Sequence, residues 1–265
     1  MAAINFPPQG DAKAVARLPF QEQIDFFMGK LALPTERWDD IQTAAHDRAW
    51  VVAGAQAADL LQDLADAVAK AIAQGSTLEQ FRKDFDSIVG RHGWSGWTGD
   101  GTKEGRDWRT RVIYQTNLNT SYSAGRLKQL LDPDLLKVKP FWTYRHRDSV
   151  LHPRPLHVSW NGITLPANHP WFQTHYTPNG WGCQCYIVAV SIQDAKAWGL
   201  RILDNPPDDG IDPRTGAPMG IDKGWDYMPG ARAKDELQAF VDDKLIRLSP
   251  QIGAALAAHT ASVLQ

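Results

Sequence analysis

The apolar residues in the first half of the chain recur with the period of an α-helix. In AADLLQDLADAVAKAIAQG, residues Leu60, Leu64, Val68 and Ile72 repeat every fourth position, and the pattern stops at Gly75. This spacing puts the apolar side chains on one face and predicts an amphipathic helix. The same criterion predicts three more helices, at 20–33, at 76–90 with Ser76 and Glu79 at capping-box spacing, and at 106–132.

The second half of the chain has a different pattern. KPFWTYRHRD and CYIVAVS alternate or concentrate apolar and aromatic residues over short lengths, which predicts two strands. The stretch between them, 148–184, is dense in Pro, His, Trp, Asn and Gly and shows no helical period. SIQDAKAWG predicts a short helix, and the segment 233–265 has helical spacing again.

These patterns predict an α+β fold. We expect an N-terminal helical module, then a small loop-rich module with a short antiparallel sheet, then C-terminal helices. The predicted boundaries are a flexible N-terminal arm at 1–19, the helical module at 20–132, the loop-rich α+β module with a Cys-x-Cys motif at 133–232, and a helical tail at 233–265.

Composition narrows the classes of function. The net charge is −2 and the isoelectric point is near 6.4, so the charge does not favour nucleic-acid binding, although a local patch could still contact DNA. The sequence has neither an apolar stretch of about 20 residues that would span a membrane nor the apolar core of a signal peptide. We therefore expect no membrane contact and a location in a cytoplasm.

The chain has 11 tryptophans, and two of them lie in a glycine-rich loop. Residues 93–105 contain five glycines together with Trp94 and Trp97. Tryptophans on a flexible loop suggest contact with a partner chain, and the alternative is that both rings fold back onto the core. Phe6 in the N-terminal arm is a second candidate for partner binding.

Candidate chemistry is concentrated between residues 146 and 185, around the chain's two cysteines. Thiolate and imidazole ligands together favour zinc, so Asp148, His157, Cys183 and Cys185 are the candidate metal ligands. Paired cysteines in structural zinc sites are usually separated by two residues, and the Cys-x-Cys spacing needs a bend. Two alternatives remain open. The cysteines could pack as small apolar groups while Asp148 and His157 bond loop backbone, or a cysteine could act as a nucleophile with a histidine base.

Nine polar, glycine, proline and cysteine residues follow one another in a defined order. They lie in the segments RTRVIYQTNLNTSYSAGR, WTYRHRDSVLHPRPLHVSWNGITLPANHPWF and YTPNGWGCQC. The nine are Arg111, Thr116, Asn117, Asp148, His157, Gly162, Pro178, Cys183 and Cys185. This arrangement resembles the phage Mu F-like family, also called the SPP1-type head morphogenesis or minor head proteins of tailed bacteriophages. Gln184 stands where an Arg is common in that family.

The resemblance implies a structural, non-enzymatic component of the phage head. Such a protein would associate with the portal protein, or with the major capsid or scaffold protein, during procapsid assembly or DNA delivery. It would be found in the virion and, during assembly, in the host cytoplasm. Two other functions remain open: a zinc- or cysteine-dependent enzyme acting during assembly or infection, and a toxin-delivery module.

Overall fold

The computed structural model describes residues 19–150 and 152–232. The predicted arm, with Phe6, lies outside the described residues up to residue 18, and the predicted helical tail at 233–265 lies outside them entirely. The described part confirms the predicted α+β class, with helices first and a small antiparallel sheet after them.

Four helices form most of the N-terminal half. They are α1 (Gln21–Met28), α2 (Ala58–Gln74), α3 (Leu78–His92) and α4 (Lys103–Leu130). The periodic face of α2 is buried, and the helix ends at Gly75 in the left-handed conformation. The side chain of Thr77 caps α3 by accepting from the Gln80 amide, so the cap lies one residue after the predicted Ser76.

The first helix is shorter than predicted. It ends at Met28, five residues before the predicted limit, and β1 (Leu31–Ala32) follows. The Leu31 and Leu33 amides donate to the carbonyls of Arg48 and Trp50, so this segment pairs in parallel with β2 (Ala49–Trp50). A 3-10 helix at Thr43–Asp47 leads into β2. The long-range strand pairing has replaced the last turn of the predicted helix.

The predicted long helix exists as α4, and its polar middle is satisfied by its own backbone. The hydroxyls of Thr120 and Ser121 donate to the carbonyls of Thr116 and Asn117, at 2.8 and 2.6 Å. The Asn117 side-chain amide donates to the Ile113 carbonyl at 2.8 Å. Bonds of this kind allow polar side chains to lie against other segments without unpaired groups.

A three-stranded antiparallel sheet organises the second half, and the first of its strands in the sequence lies at the centre. The strands are β3 (Phe141–Arg145), β4 (Thr164–Pro166) and β5 (Tyr186–Val190), and β3 and β5 confirm the two predicted strands. Four short helices precede, connect or follow these strands: α5 (Pro133–Val138), α6 (Pro155–Ser159), α7 (Trp171–His175) and α8 (Ile192–Ala197). Two of them, α6 and α7, have five residues each, which is too short to show a helical period in the sequence.

Two hydrophobic clusters make up the core. One contains buried residues between positions 27 and 113, and the other contains buried residues between positions 127 and 225. Because α4 contributes Ile113 to the first cluster and Leu127 and Leu130 to the second, this helix connects both. Among the described helices, none is long and apolar enough to cross a bilayer.

Candidate functional site

The structure brings three of the predicted site residues together beside the sheet. The Nδ1 atom of His157 lies 3.6 Å from the sulfur of Cys183 and 3.8 Å from that of Cys185. The three ligand atoms all lie within 4.8 Å of one another, and the three side chains are buried. Both cysteines are free thiols. The fold therefore brings His157 and Cys183, which lie 26 residues apart in the sequence, into contact.

Strand register explains a further histidine at this cluster. In the antiparallel pair of β3 and β5, Arg145 is opposite Tyr186. The next position outward therefore sets His146 against Cys185. The Nδ1 atom of His146 lies 3.5 Å from the Cys185 sulfur, and the side chain of His146 is buried.

The orientation of His157 is fixed from its other side. Its Nε2 atom donates to the carbonyl of Gly220 at 2.9 Å, so in the neutral ring the Nδ1 atom facing the sulfurs is the nitrogen without a proton. The ring also stacks on Trp160, with centroids 5.0 Å apart. A Cβ atom at Gly220 would lie 2.9 Å from a methyl carbon of Leu156, and the φ angle is +89°. Only glycine can bring this carbonyl so close to α6.

An ion pair braces the segments around the cluster. Arg154 binds Asp222 through two hydrogen bonds of 2.6 and 2.8 Å, and its guanidinium also donates to the Trp181 carbonyl at 3.1 Å. The Trp181 amide donates to Asp222 at 2.9 Å. This two-bond geometry fixes the direction of both side chains. It joins the start of α6, the turn before the cysteines and the loop that carries Gly220.

Helix α4 contacts the cysteine turn directly. The side-chain amide of Asn119 donates to the Cys183 carbonyl at 3.1 Å. Seven residues before Cys183, Tyr176 donates to the Ser123 carbonyl at 3.0 Å. The position of the Cys-x-Cys motif therefore depends on the long helix as well as on the sheet.

The two thiols differ in acidity. The pKa of Cys185 is lowered to about 7, mainly because Cys183 donates a hydrogen bond to its sulfur. The pKa of Cys183 is raised by the same hydrogen bond and by burial. His175, which stacks on Trp171 at 4.2 Å, has its pKa lowered to about 4 by burial and is neutral near pH 7.

Asp148 does not join the cluster, contrary to the sequence-based expectation. Its side chain is exposed, and the three mutually close ligand atoms come from His157, Cys183 and Cys185. Water stabilises an exposed carboxylate strongly, and burying the carboxylate without a charge partner would be unfavourable. His146, which the sequence places two residues earlier, occupies the position next to Cys185 instead.

The expectation that Trp94 and Trp97 form a free partner-binding surface is also corrected. The Trp97 side chain is 8% exposed, and its ring packs on Phe85 with centroids 5.4 Å apart. Trp94 is partly buried against the same phenyl ring at 6.2 Å. Both indoles remove apolar surface from water by folding back onto α3, which was the alternative that the sequence left open.

The other residues of the ordered pattern lie in separate places. Arg111 is exposed on α4, whereas Thr116 and Asn117 line a cavity of about 120 Å³ between α4, residues 38–53 and residues 223–227. Gly162 donates from its amide to the Tyr144 carbonyl at 2.9 Å at the edge of the sheet.

Sequence reasoning did not find the roles of Gly220, Asn119 and the Arg154–Asp222 pair. Each acts through a contact more than 60 residues away in the chain.

Comparison with known proteins assigns this arrangement to a family. Residues 62–188, which hold α3, α4, β3, β4 and the Cys-x-Cys motif, match the family model described as Phage Mu protein F like protein. The chain therefore belongs to the Mu F-like family over this region, and the resemblance seen in the sequence is confirmed.

Two relatives support this assignment. The chain is 30% identical over 262 residues to "Putative capsid assembly protein F" of Escherichia phage Mu, a match that covers 87% of this chain and 58% of that protein. It is 32% identical over 194 residues to the Mu-like prophage FluMu F protein of Haemophilus influenzae, covering 71% of this chain and 45% of that protein. The chain thus spans about half the length of these relatives. No solved structure matches it at a significant level.

Proposed function

We propose that this protein is a minor head protein of a tailed bacteriophage or prophage that takes part in capsid assembly. The observation that carries the proposal is the similarity to the phage Mu protein, whose name describes a role in capsid assembly, over 87% of this chain. On this proposal the protein is a component of the virion head, is present in the host cytoplasm during assembly, and contacts the portal protein.

The buried thiols favour a structural role over a catalytic one. A cysteine next to a histidine is also the arrangement of a thiol nucleophile, and the lowered pKa of Cys185 would suit that chemistry. A nucleophile must reach its substrate, however, and Cys183 and Cys185 are only 6% and 7% exposed. We therefore propose that the protein assembles without catalytic turnover.

Exposed tryptophans offer a contact surface for the portal. Trp38 and Trp181 are 44% and 40% exposed, and their rings meet edge to face with centroids 5.9 Å apart. Trp225 supports the Trp181 ring from the buried side at 5.1 Å. Large aromatic side chains held rigidly at a surface are the usual anchors of protein interfaces. The Trp38–Trp181 pair replaces Trp94 and Trp97 as the proposed anchor.

Co-sedimentation with portal-containing procapsids tests the proposal. We expect the wild-type chain to sediment with them and the double variant Trp38→Ala, Trp181→Ala to lose at least about tenfold in recovery, because truncating interface anchors costs 2 kcal/mol or more, as an order of magnitude. Trp108, which is 48% exposed on α4, supplies the control, and Trp108→Ala should be recovered like wild type. Equal recovery of all three would remove the tryptophan pair from the interface. Absence of the wild type from the sediment would refute the proposed head role.

A further inference from the structure

We propose that His157, Cys183 and Cys185 bind a structural zinc ion and that His146 is the fourth ligand. The spacing of the donor atoms carries this inference. Zinc–sulfur bonds of about 2.3 Å and zinc–nitrogen bonds of about 2.0 Å at tetrahedral angles separate a sulfur from a nitrogen by about 3.5 Å. The Nδ1 atom of His157 lies 3.6 and 3.8 Å from the two sulfurs, and the Nδ1 atom of His146 lies 3.5 Å from the Cys185 sulfur.

The surroundings of His157 are those of a metal ligand. Histidines that bind a metal donate their other ring nitrogen to a carbonyl or carboxylate, which fixes the tautomer and the ring plane. His157 does this through Nε2 to the Gly220 carbonyl at 2.9 Å. The free electron pair on Nδ1 consequently points at the two sulfurs. A histidine that served only to pack against Trp160 would not need this orientation.

Two groups near Cys183 and Cys185 favour the thiolate form that binds zinc. The backbone amide of Arg147 donates to the Cys185 sulfur, and the positive Arg154 lies close to both cysteines. Two thiolates neutralise the charge of Zn²⁺, so the buried cluster would carry no net charge once the ion is bound. Both sulfurs reach His157 despite the Cys-x-Cys spacing, because Cys183 ends the turn of residues 180–183 and Cys185 lies directly before β5.

To become the fourth ligand of the tetrahedral zinc site, His146 must move slightly. The mutually close set contains three residues, so the His146 ring must turn from Cys185 toward the ion. His146 is buried directly after β3, and the last strand pair, Arg145 with Tyr186, holds its backbone near that of Cys185. Binding would then join β3, α6, the cysteine turn and, through Gly220, the loop that follows. These are the irregular segments that have little secondary structure to hold them together.

Metal content of the full chain tests the proposal. We expect the protein, purified without a polyhistidine tag and in the presence of a reductant, to contain about one zinc per chain by mass spectrometry of the element. His157→Gln keeps a side-chain amide that can bond the Gly220 carbonyl but removes the ligand, so it should lose most of the zinc. The exposed His152 provides the matched control, and His152→Gln should retain it. A His157→Gln protein with a full zinc content would overturn the proposal.

Measurements on the wild-type chain keep the test independent of whether the variants fold. Removing the metal with a chelator should lower the midpoint of thermal unfolding by at least about 5 °C, and adding zinc back should restore it. Cobalt in place of zinc should give the absorption of a tetrahedral site with thiolate ligands. A folded, reduced chain that contains no zinc and gives no such cobalt spectrum would sink the idea. For the fourth ligand, His146→Gln should bind zinc at least about tenfold more weakly, and unchanged affinity would remove His146 from the site.

Discussion

Two ionisable side chains near β1 and β2, those of His46 and Lys30, are largely removed from water. His46 donates from Nε2 to the Ile41 carbonyl at 2.8 Å, and its own carbonyl accepts from the ammonium group of Lys30. Burial and the neighbouring Lys30 lower the pKa of His46 to about 4. Burial likewise lowers the pKa of Lys30 to about 8. The histidine is therefore neutral in the folded protein across the range in which an unfolded chain would begin to protonate it.

This difference predicts a loss of stability in mild acid. Between the folded pKa of His46, about 4, and the usual value of 6.5, the unfolded chain binds more protons than the folded one, so the free energy of unfolding falls as the pH falls. We expect His46 to account for roughly 1–2 kcal/mol of loss between pH 7 and pH 5. Urea unfolding should show a shallower loss in His46→Gln, which can still donate to Ile41, than in wild type. The exposed His152→Gln should follow wild type, and equal slopes for wild type and His46→Gln would contradict the prediction.

At the scale of elements, α1 and α4 pack closely enough to leave no room for a side chain. A Cβ atom placed on Gly125 of α4 would lie 2.7 Å from the backbone nitrogen of Gln23 and 3.0 Å from the Phe20 ring. The side-chain amide of Gln23 in turn donates to the Ser121 hydroxyl at 3.0 Å and to the Leu118 carbonyl at 3.2 Å. A glycine in the middle of a helix is ordinarily unfavourable, and here it permits the contact between the two helices.

Replacing this glycine should therefore reverse the usual effect of alanine. In an exposed helix Gly→Ala stabilises by about 0.5–1 kcal/mol, which we expect for Gly90→Ala in α3, where an added Cβ meets nothing within 4 Å. Gly125→Ala should instead destabilise by about 1–3 kcal/mol, because α1 must move away from α4. Chemical denaturation of both variants gives the comparison. A stabilised Gly125→Ala protein would show that α1 is not held at this distance.

The elements also show what could be predicted from the sequence. The period of α2 and α3 and the aromatic alternation of β3 were sufficient to find those elements, because each pattern is local. The pairing of β1 with β2 joins segments that are separated by a loop and a 3-10 helix, and no local pattern in the sequence indicates it. The burial of Trp97 depends on how its loop turns back onto α3, which the sequence left open between two alternatives. For the site, residue type identified His157 and the cysteines. Only the register of β3 against β5 could have selected His146 over Asp148, because it places His146 opposite Cys185.

For the molecule as a whole, residues 39–47, in the N-terminal part of the described chain, are connected to its C-terminal end. The carboxylate of Asp47, next to β2, accepts from the amides of Gly230 and Arg232 at 2.9 and 3.3 Å. Asp39 reaches the same stretch through Lys223 at 3.4 Å. These contacts span more than 180 residues of sequence. They hold the last described loop over the cavity beside α4, which Lys223 and Tyr227 help to line.

The two acids should contribute very differently to this connection. Asp47 is 1% exposed, so Asp47→Ala would leave two amides without their acceptor and remove the negative charge that faces Lys30 and Arg48. We expect a loss of about 2–4 kcal/mol in the free energy of unfolding at pH 7. Asp39→Ala removes contacts to Arg37 and Lys223, whose side chains are 72% and 46% exposed, and should cost much less than Asp47→Ala. Urea unfolding of both variants measures the difference. If their losses were equal, the connection between the two ends would not depend on the buried carboxylate, and the last loop would have to be held mainly by the packing of Trp225 and Tyr227.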